Sequence, residues 1–311
     1  MNRRDFLLSA SATALTARQL FGADPRYKIG YTTNTRGGWE SDPFKGFAEA
    51  HQVGFNRVEA FATALDAFYP NDAAGLQRRI DEIGVRFVAI TGGARGGDTH
   101  FEDPARRQAV IENHLGVVRF SRKFGADHQK TNLGSRRPGG TTGEDLGHIA
   151  ETLNILGKRI YEEEGMRFGP HAHLGSQLQN QHEIEYIMAN TDPKYVGFVL
   201  DTGHITMAGM DPIPLAKKLG HRVVEFHLKD TKPEDRGGTK NVPEGVDQMK
   251  DPYFFPLGNG GVDFPALKAH LDSIQWKGFL VVELDTSPWR PPKESARMTA
   301  DYIQKTLKLP L

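Results

Sequence analysis

Gly169-Pro170-His171-Ala172-His173-Leu174-Gly175 is the stretch on which the reading of this chain turns. It follows Met166-Arg167-Phe168, a run short and apolar enough for an inner strand. Alternation along a strand puts residues i and i+2 on one face, so the spacing predicts a strand end that aims His171 and His173 at one spot. Three later segments end in metal-ligating residue types in the same way. Val196-Gly197-Phe198-Val199-Leu200-Asp201 ends in aspartate, Val223-Val224-Glu225-Phe226-His227 in histidine and Phe279-Leu280-Val281-Val282-Glu283 in glutamate.

Outward from these segments, strand-like runs alternate with helical ones. Strands are expected at 27–31, 55–59, 85–90, 126–132, 166–171, 196–201, 223–227 and 279–283. Helices are expected at 44–52, 73–83, 104–124 and 146–163, the last carrying Ile149, Leu153, Leu156 and Ile160 on one face. Gly54, Gly84, Gly125 and Gly165 stand between a helix and the next strand, where a left-handed residue turns the chain back. Eight such units over about 285 residues predict an α/β fold, a (β/α)8 TIM barrel. A doubly wound open sheet is the competing architecture. No break in composition marks a second domain, so 25–311 reads as a single domain.

Lys plus Arg and Asp plus Glu balance at 39 each in 311 residues. That gives no electrostatic reason to expect nucleic acid or an acidic membrane as a partner. The chain has no cysteine, which excludes disulfides and thiolate zinc sites and fits either redox compartment. At the start, Asn2-Arg3-Arg4-Asp5-Phe6-Leu7 is a twin-arginine pattern before an apolar stretch too short to span a membrane. Residues 1–24 therefore read as a twin-arginine signal peptide, and the protein as periplasmic or otherwise exported with no membrane contact after export. A leader helix that stays attached is the competing reading. Twin-arginine export carries folded proteins, a route suited to an enzyme that is loaded with metal first.

In a barrel of this type the active site lies at the C-terminal ends of the strands. Those ends supply Glu59, Lys130 or Asn132, His171 and His173, Asp201, His227 and Glu283. Each has an ordinary structural explanation alone. Asp201-Thr202-Gly203-His204 can be a capped turn, His227-Leu228-Lys229-Asp230 a strand end with a solvated charge pair, His171 a hydrogen-bonded barrel histidine, and Glu283 and Asp285 surface residues. Together, His171, Asp201, His227 and Glu283 form a ligand set for one divalent ion, Mn²⁺, Co²⁺, Mg²⁺ or Zn²⁺. The long connection 230–263 follows a strand end and is expected over the barrel mouth. There Tyr253-Phe254-Phe255 either closes on a ligand or anchors the loop.

Asp201-Thr202-Gly203-His204, His227-Leu228-Lys229-Asp230, Gly258-Asn259-Gly260-Gly261-Val262-Asp263-Phe264 and Val281-Val282-Glu283 resemble, in order and spacing, the xylose-isomerase-like barrel superfamily. Its members include sugar isomerases, epimerases and inosose dehydratases. The resemblance implies one metal ligand from each of strands five to eight, here His171, Asp201, His227 and Glu283. It also implies that His204 contacts substrate oxygens. The epimerases place Glu in a Glu-x-His setting on strand five, whereas this chain has His171. The His-x-His form is similar to inosose dehydratases and keto-glycoside lyase-like members.

The chemistry so implied removes a proton next to the carbonyl of a keto-sugar, keto-glycoside or inosose. Elimination then makes the protein a dehydratase or lyase. The alternative is a sugar isomerase or epimerase working through a metal-bound enediolate. His173 is the candidate acid or base, with orientation of a ligand as its competing role. Glu283 can double as base, Lys229 and Lys130 can steady oxyanions, and Glu59 lies among the candidate substrate contacts. A keto substrate implies an upstream sugar oxidoreductase. No glycine-rich phosphate cradle of the usual spacing is present, leaving Arg95-Gly96-Gly97 and Arg136-Arg137 as weak phosphate candidates. Two other classes compete. An abasic-site endonuclease of the same fold would show extra zinc ligands and a basic face, and a non-catalytic periplasmic sugar binder needs no four-ligand set.

Overall fold

The computed structural model describes residues 26–92, 99–238 and 253–311. The expected signal peptide, Arg95-Gly96-Gly97 and the middle of the long connection lie outside these residues. Strands and helices alternate. β1 is Tyr27–Thr32, α1 Pro43–Gln52, β2 Arg57–Phe61, α2 Ala73–Ile83, β3 Arg86–Thr91, α3 Arg107–Arg122, β4 His128–Thr131 and α4 Gly143–Arg159. The second half runs β5 Arg167–Pro170, α5 Gln181–Asn190, β6 Phe198–Asp201, α6 Thr202–Met207, α7 Pro212–Leu219, β7 Val223–Leu228, α8 Phe264–Ser273, β8 Gly278–Val282 and α9 Pro292–Lys305. All strand pairings are parallel.

Six strands form one sheet in the order β3-β2-β1-β8-β7-β6, and β4 pairs with β5. Bridges from Gly92 to Thr131 and from His171 to Val199 join the two pieces. The Gly197 N–H donates to the Phe168 carbonyl at 2.7 Å across the second junction. The circuit β1 to β8 and back to β1 is thus closed, which is the TIM barrel and not the open doubly wound sheet. Gly169 belongs to that junction. A Cβ there would stand 2.9–3.0 Å from the Phe198 backbone, so the β5–β6 approach requires glycine.

Side-chain capping starts the helices where the chain must turn out of the barrel. Thr142 and Asn180 form capping boxes with Asp145 and Glu183, and Asp42, Asp72, Asp211 and Asp263 cap α1, α2, α7 and α8. Gly54, Gly84, Gly125 and Gly165 all have positive φ, as the helix-to-strand turns predict. The main apolar core lies between the strands and the helical ring. The barrel interior is different. Among the described residues, Val88, Phe279 and Val281 make an apolar patch there, beside buried charged and polar side chains that include Glu59, His128, Lys130, Glu225 and His227.

Candidate metal centre at the barrel mouth

His171, Asp201, His227 and Glu283 meet at the C-terminal ends of β5 to β8, with one donor atom from each lying within 4.8 Å of every other. All four are buried. The Asn132 side-chain oxygen Oδ1 sits 2.9 Å from His171 Nδ1, so Nδ1 is the donor and Nε2 carries the lone pair. That Nε2 has no hydrogen-bond partner among the described residues. It faces Asp201 Oδ2, likewise without a hydrogen bond, at 3.4 Å. Two buried acceptors aimed at one another are what a cation between them would satisfy. Burial, reinforced by the neighbouring His227 and Lys130 charges, holds the His171 pKa well below the usual imidazole value and keeps that lone pair available. The donor set of two imidazoles and two carboxylates fits a divalent ion of the Mn²⁺–Zn²⁺ range.

Asp201 serves two ends at once. Its Oδ1 accepts the His204 N–H at 2.9 Å and caps α6, so the capped-turn reading holds for one oxygen while Oδ2 faces the pocket. The Thr202 hydroxyl donates to the Lys229 carbonyl at 2.7 Å and accepts the Lys229 N–H at 2.9 Å, tying α6 to the end of β7. A Cβ on Gly203 would stand 2.7 Å from Lys229 Cγ, so glycine is what lets the lysine stem pass beneath α6.

Lys229 Nζ lies 2.8 Å from His204 Nε2, 3.0 Å from Asp285 Oδ1, 3.0 Å from Glu283 Oε2 and 3.2 Å from Asp201 Oδ2. Burial alone would lower its pKa, but the three carboxylates outweigh that and raise it, so the ammonium is held charged. The solvated-pair reading of Lys229 and Asp230 is corrected, because both are fully buried. Asp230 accepts backbone N–H groups from Thr231, Gly258, Gly260 and Val262, and so organises the Gly-rich return of the loop. Glu283 and Asp285 are likewise buried, not surface residues.

The expectation that β5 carries both histidines is also corrected. β5 ends at Pro170, and beyond His171 the chain curls so that the His173 N–H donates to the Leu178 carbonyl at 3.0 Å. His173 still comes to the mouth, its ring 5.7 Å from that of His171 and 3.7 Å from that of His204. It groups with His204 and Asp285 rather than with the four-residue set. Its Nδ1 donates to the Leu174 carbonyl at 2.5 Å, which leaves Nε2 as an acceptor. Burial and the nearby Lys229 ammonium lower its pKa.

Glu59 and Lys130 are placed deeper, on the other side of His227. Their ion pair is 2.5 Å long, with Lys130 Nζ 3.1 Å and Glu59 Oε1 3.5 Å from His227 Nε2. Phe254 forms an apolar wall 5.2 Å from the His204 ring, while Phe255 packs on Trp289 and bridges to Asp230. The aromatic triplet thus anchors the loop and also lines the site. Arg136 pairs with Glu183, and Arg137 with Glu102 and Asp145, so neither forms a phosphate cradle in this structure.

Sequence reasoning missed Glu225, which bridges His128 and His227 inside the barrel. The i, i+2 spacing of Glu225 and His227 was the available signal. Burial alone would lower the His128 pKa, but Glu225 and Asp127 on its two sides raise it to about 9. Asn34, donating to Glu283 Oε1 at 3.2 Å, and Asn132 were not singled out as site residues either, although Asn132 was noted at its strand end.

Residues 47–306 match the family described as Xylose isomerase-like TIM barrel, and the chain belongs to that family. It is 33% identical over 162 residues to an inosose dehydratase of Salmonella typhimurium, spanning 51% of this chain and about half (54%) of that relative. It is 28% identical over 254 residues to the rhizopine catabolism protein MocC of Rhizobium meliloti, covering 78% of this chain and 74% of that protein. Among solved structures, D-psicose 3-epimerase from Clostridium cellulolyticum H10 superposes with a TM-score of 0.70 at 15% identity, covering 91% of this chain and 99% of that one. The IolI protein, solved with a bound zinc atom, superposes with a TM-score of 0.66 at 16% identity, covering 89% and 97%. Both structural likenesses concern the fold.

Proposed function

We propose that the protein is a carbohydrate-active, metal-dependent lyase. It would remove the proton beside the carbonyl of a keto-sugar, keto-glycoside or inosose and then expel a β-substituent. The observation that carries this reading is the histidine at the end of β5: that strand brings no carboxylate to the mouth, and the residues it and its loop deliver are His171 and His173. A two-base epimerisation needs a carboxylate there to oppose Glu283. The names of the relatives, inosose dehydratase and a rhizopine catabolism protein, agree with substrates of this kind.

His171, Asp201, His227 and Glu283 would hold one divalent ion, whose chemistry is to polarise the substrate carbonyl and so acidify the adjacent C–H. His173 offers Nε2 as the base for that proton, its other nitrogen being committed to Leu174. The Lys229 ammonium, fixed by three carboxylates, steadies negative charge that develops on a substrate oxygen. His204 Nδ1 is buried and has no hydrogen-bond partner among the described residues, and it is assigned to a substrate hydroxyl. Phe254 excludes water from that corner. The reaction takes place after twin-arginine export, on a ketone made by an upstream oxidoreductase.

The test is turnover of 3-keto-glucosides and inososes in D₂O, followed by NMR, with Mn²⁺ or with a chelator. The expected result is deuterium next to the carbonyl and a product that has lost its β-substituent, both suppressed by chelation. Turnover indifferent to chelation overturns the metal dependence, and an epimer that keeps every substituent makes the enzyme an isomerase.

A further inference from the structure

We propose that Glu225 is a positioning residue that decides which nitrogen of His227 faces the metal pocket. The inference rests on the metal reading of the four-residue set. Glu225 and His227 lie two apart on β7 and share its inner face. Glu225 is fully buried. Its Oε1 lies 2.7 Å from His227 Nε2, and its Oε2 is hydrogen-bonded to His128 Nε2. His128 is held in turn by Asp127 Oδ1, 2.9 Å from its Nδ1. Both oxygens of the carboxylate are therefore fixed, and it cannot swing away from His227.

The opposite arrangement has a competitor in place. Lys130 Nζ stands 3.1 Å from the same His227 Nε2. Lysine only donates, so a hydrogen bond from Lys130 would require the lone pair on Nε2 and the proton on Nδ1. Nδ1 is the nitrogen that faces Glu283 Oε2 at 2.7 Å and Asp201 Oδ2 at 3.8 Å. A neutral ring with its proton there cannot ligate. Carboxylates only accept, and Glu225 Oε1 and Glu283 Oε2 each lie 2.7 Å from a ring nitrogen, so without a cation both nitrogens carry a proton. When a cation replaces the Nδ1 proton beside Glu283, Glu225 keeps the remaining proton on Nε2. Glu59, 2.5 Å from Lys130, keeps the lysine from taking over Nε2.

Titration calorimetry with Mn²⁺ alone tests this on the full chain. Wild type is expected to bind one equivalent, and Glu225→Gln to bind it roughly 10–100-fold more weakly. The double variant Glu225→Gln/Lys130→Met, which also removes the competing donor, is expected to regain part of that loss. Where Glu225→Gln does not fold, Glu225→Asp keeps the charge but withdraws it from Nε2 and is expected to weaken binding in the same direction. In ¹⁵N-histidine NMR of the Zn²⁺-loaded wild type, His227 is expected to carry its proton on Nε2. Unchanged Mn²⁺ affinity in the folded variant, or ligation through Nε2, overturns the inference while leaving the metal site intact. Two equivalents bound by wild type and one by Glu225→Gln would make Glu225 a ligand and overturn its positioning role. Wild type that binds no Mn²⁺ removes the metal reading itself, and this inference with it.

Discussion

Lys229→Met is expected to destabilise the metal-free protein by about 3–5 kcal/mol, the usual cost of removing one partner from a buried ion cluster. The ammonium lies within 3.2 Å of Asp201, Glu283 and Asp285, all buried, and within 2.8 Å of His204. Methionine fills much the same volume beneath Gly203 and α6, so the loss is electrostatic and not a cavity. Three buried carboxylates are then left to repel one another. A divalent cation relieves that repulsion, so Mn²⁺ is expected to raise the melting temperature of the variant more than that of wild type. Turnover moves the other way, falling roughly 10²–10³-fold, as for loss of a group that faces developing negative charge. Thermal melts with and without Mn²⁺, beside turnover of a keto-sugar, separate the two roles. A variant as stable as wild type without metal would show that the cluster is not held by Lys229.

Asp201→Asn separates the two oxygens of one side chain. Oδ1 caps α6 through the His204 N–H, and asparagine caps a helix about as well as aspartate does. Oδ2, which faces His171 Nε2 at 3.4 Å, becomes an NH₂ group with no lone pair for a cation. The variant is therefore expected to keep its fold, giving up only one of Lys229's three carboxylate partners. Its affinity for Mn²⁺ is expected to fall at least about 100-fold, which is roughly 2.7 kcal/mol. Circular dichroism and Mn²⁺ titration on the same preparation check both halves. Loss of helix with unchanged metal affinity would invert the assignment of the two oxygens.

The barrel and the pocket were legible in the sequence for the same reason. Each strand end carries its chemistry in the residue that points inward at the mouth, so Asp201, His227 and Glu283 are visible as the polar stop of an apolar run. The glycines at helix ends and the Asp and Thr caps also act locally, within a few residues, and were readable for that reason. β4 was harder. The run 126–132 reads as a strand, but a less apolar one than the rest, and all four of His128-Gln129-Lys130-Thr131 are buried, because this barrel carries ion pairs in its interior. The partners of Lys130 and Glu225 come from other strands, and strand register is not written in any one segment.

His173 illustrates the same limit. Alternation places it beside His171, but the strand stops at Pro170, and the curl that follows is set by the His173 N–H bond to the Leu178 carbonyl and by the Gln177 N–H bond to the Gly134 carbonyl of the preceding β4–α4 connection. The residue reached the mouth by a route that period two does not describe. α6 escaped notice as a helix because its six residues are too few to show a period, and its start is a side-chain cap that doubles as a pocket residue.

Anomalous diffraction from crystals of the wild-type protein soaked in Mn²⁺ tests the central claim most directly. One peak is predicted, within bonding distance of His171 Nε2, Asp201 Oδ2, His227 Nδ1 and Glu283 Oε2, which already lie within 4.8 Å of one another. A peak among His173, His204 and Asp285 instead, or none at all at saturating Mn²⁺, would contradict the account.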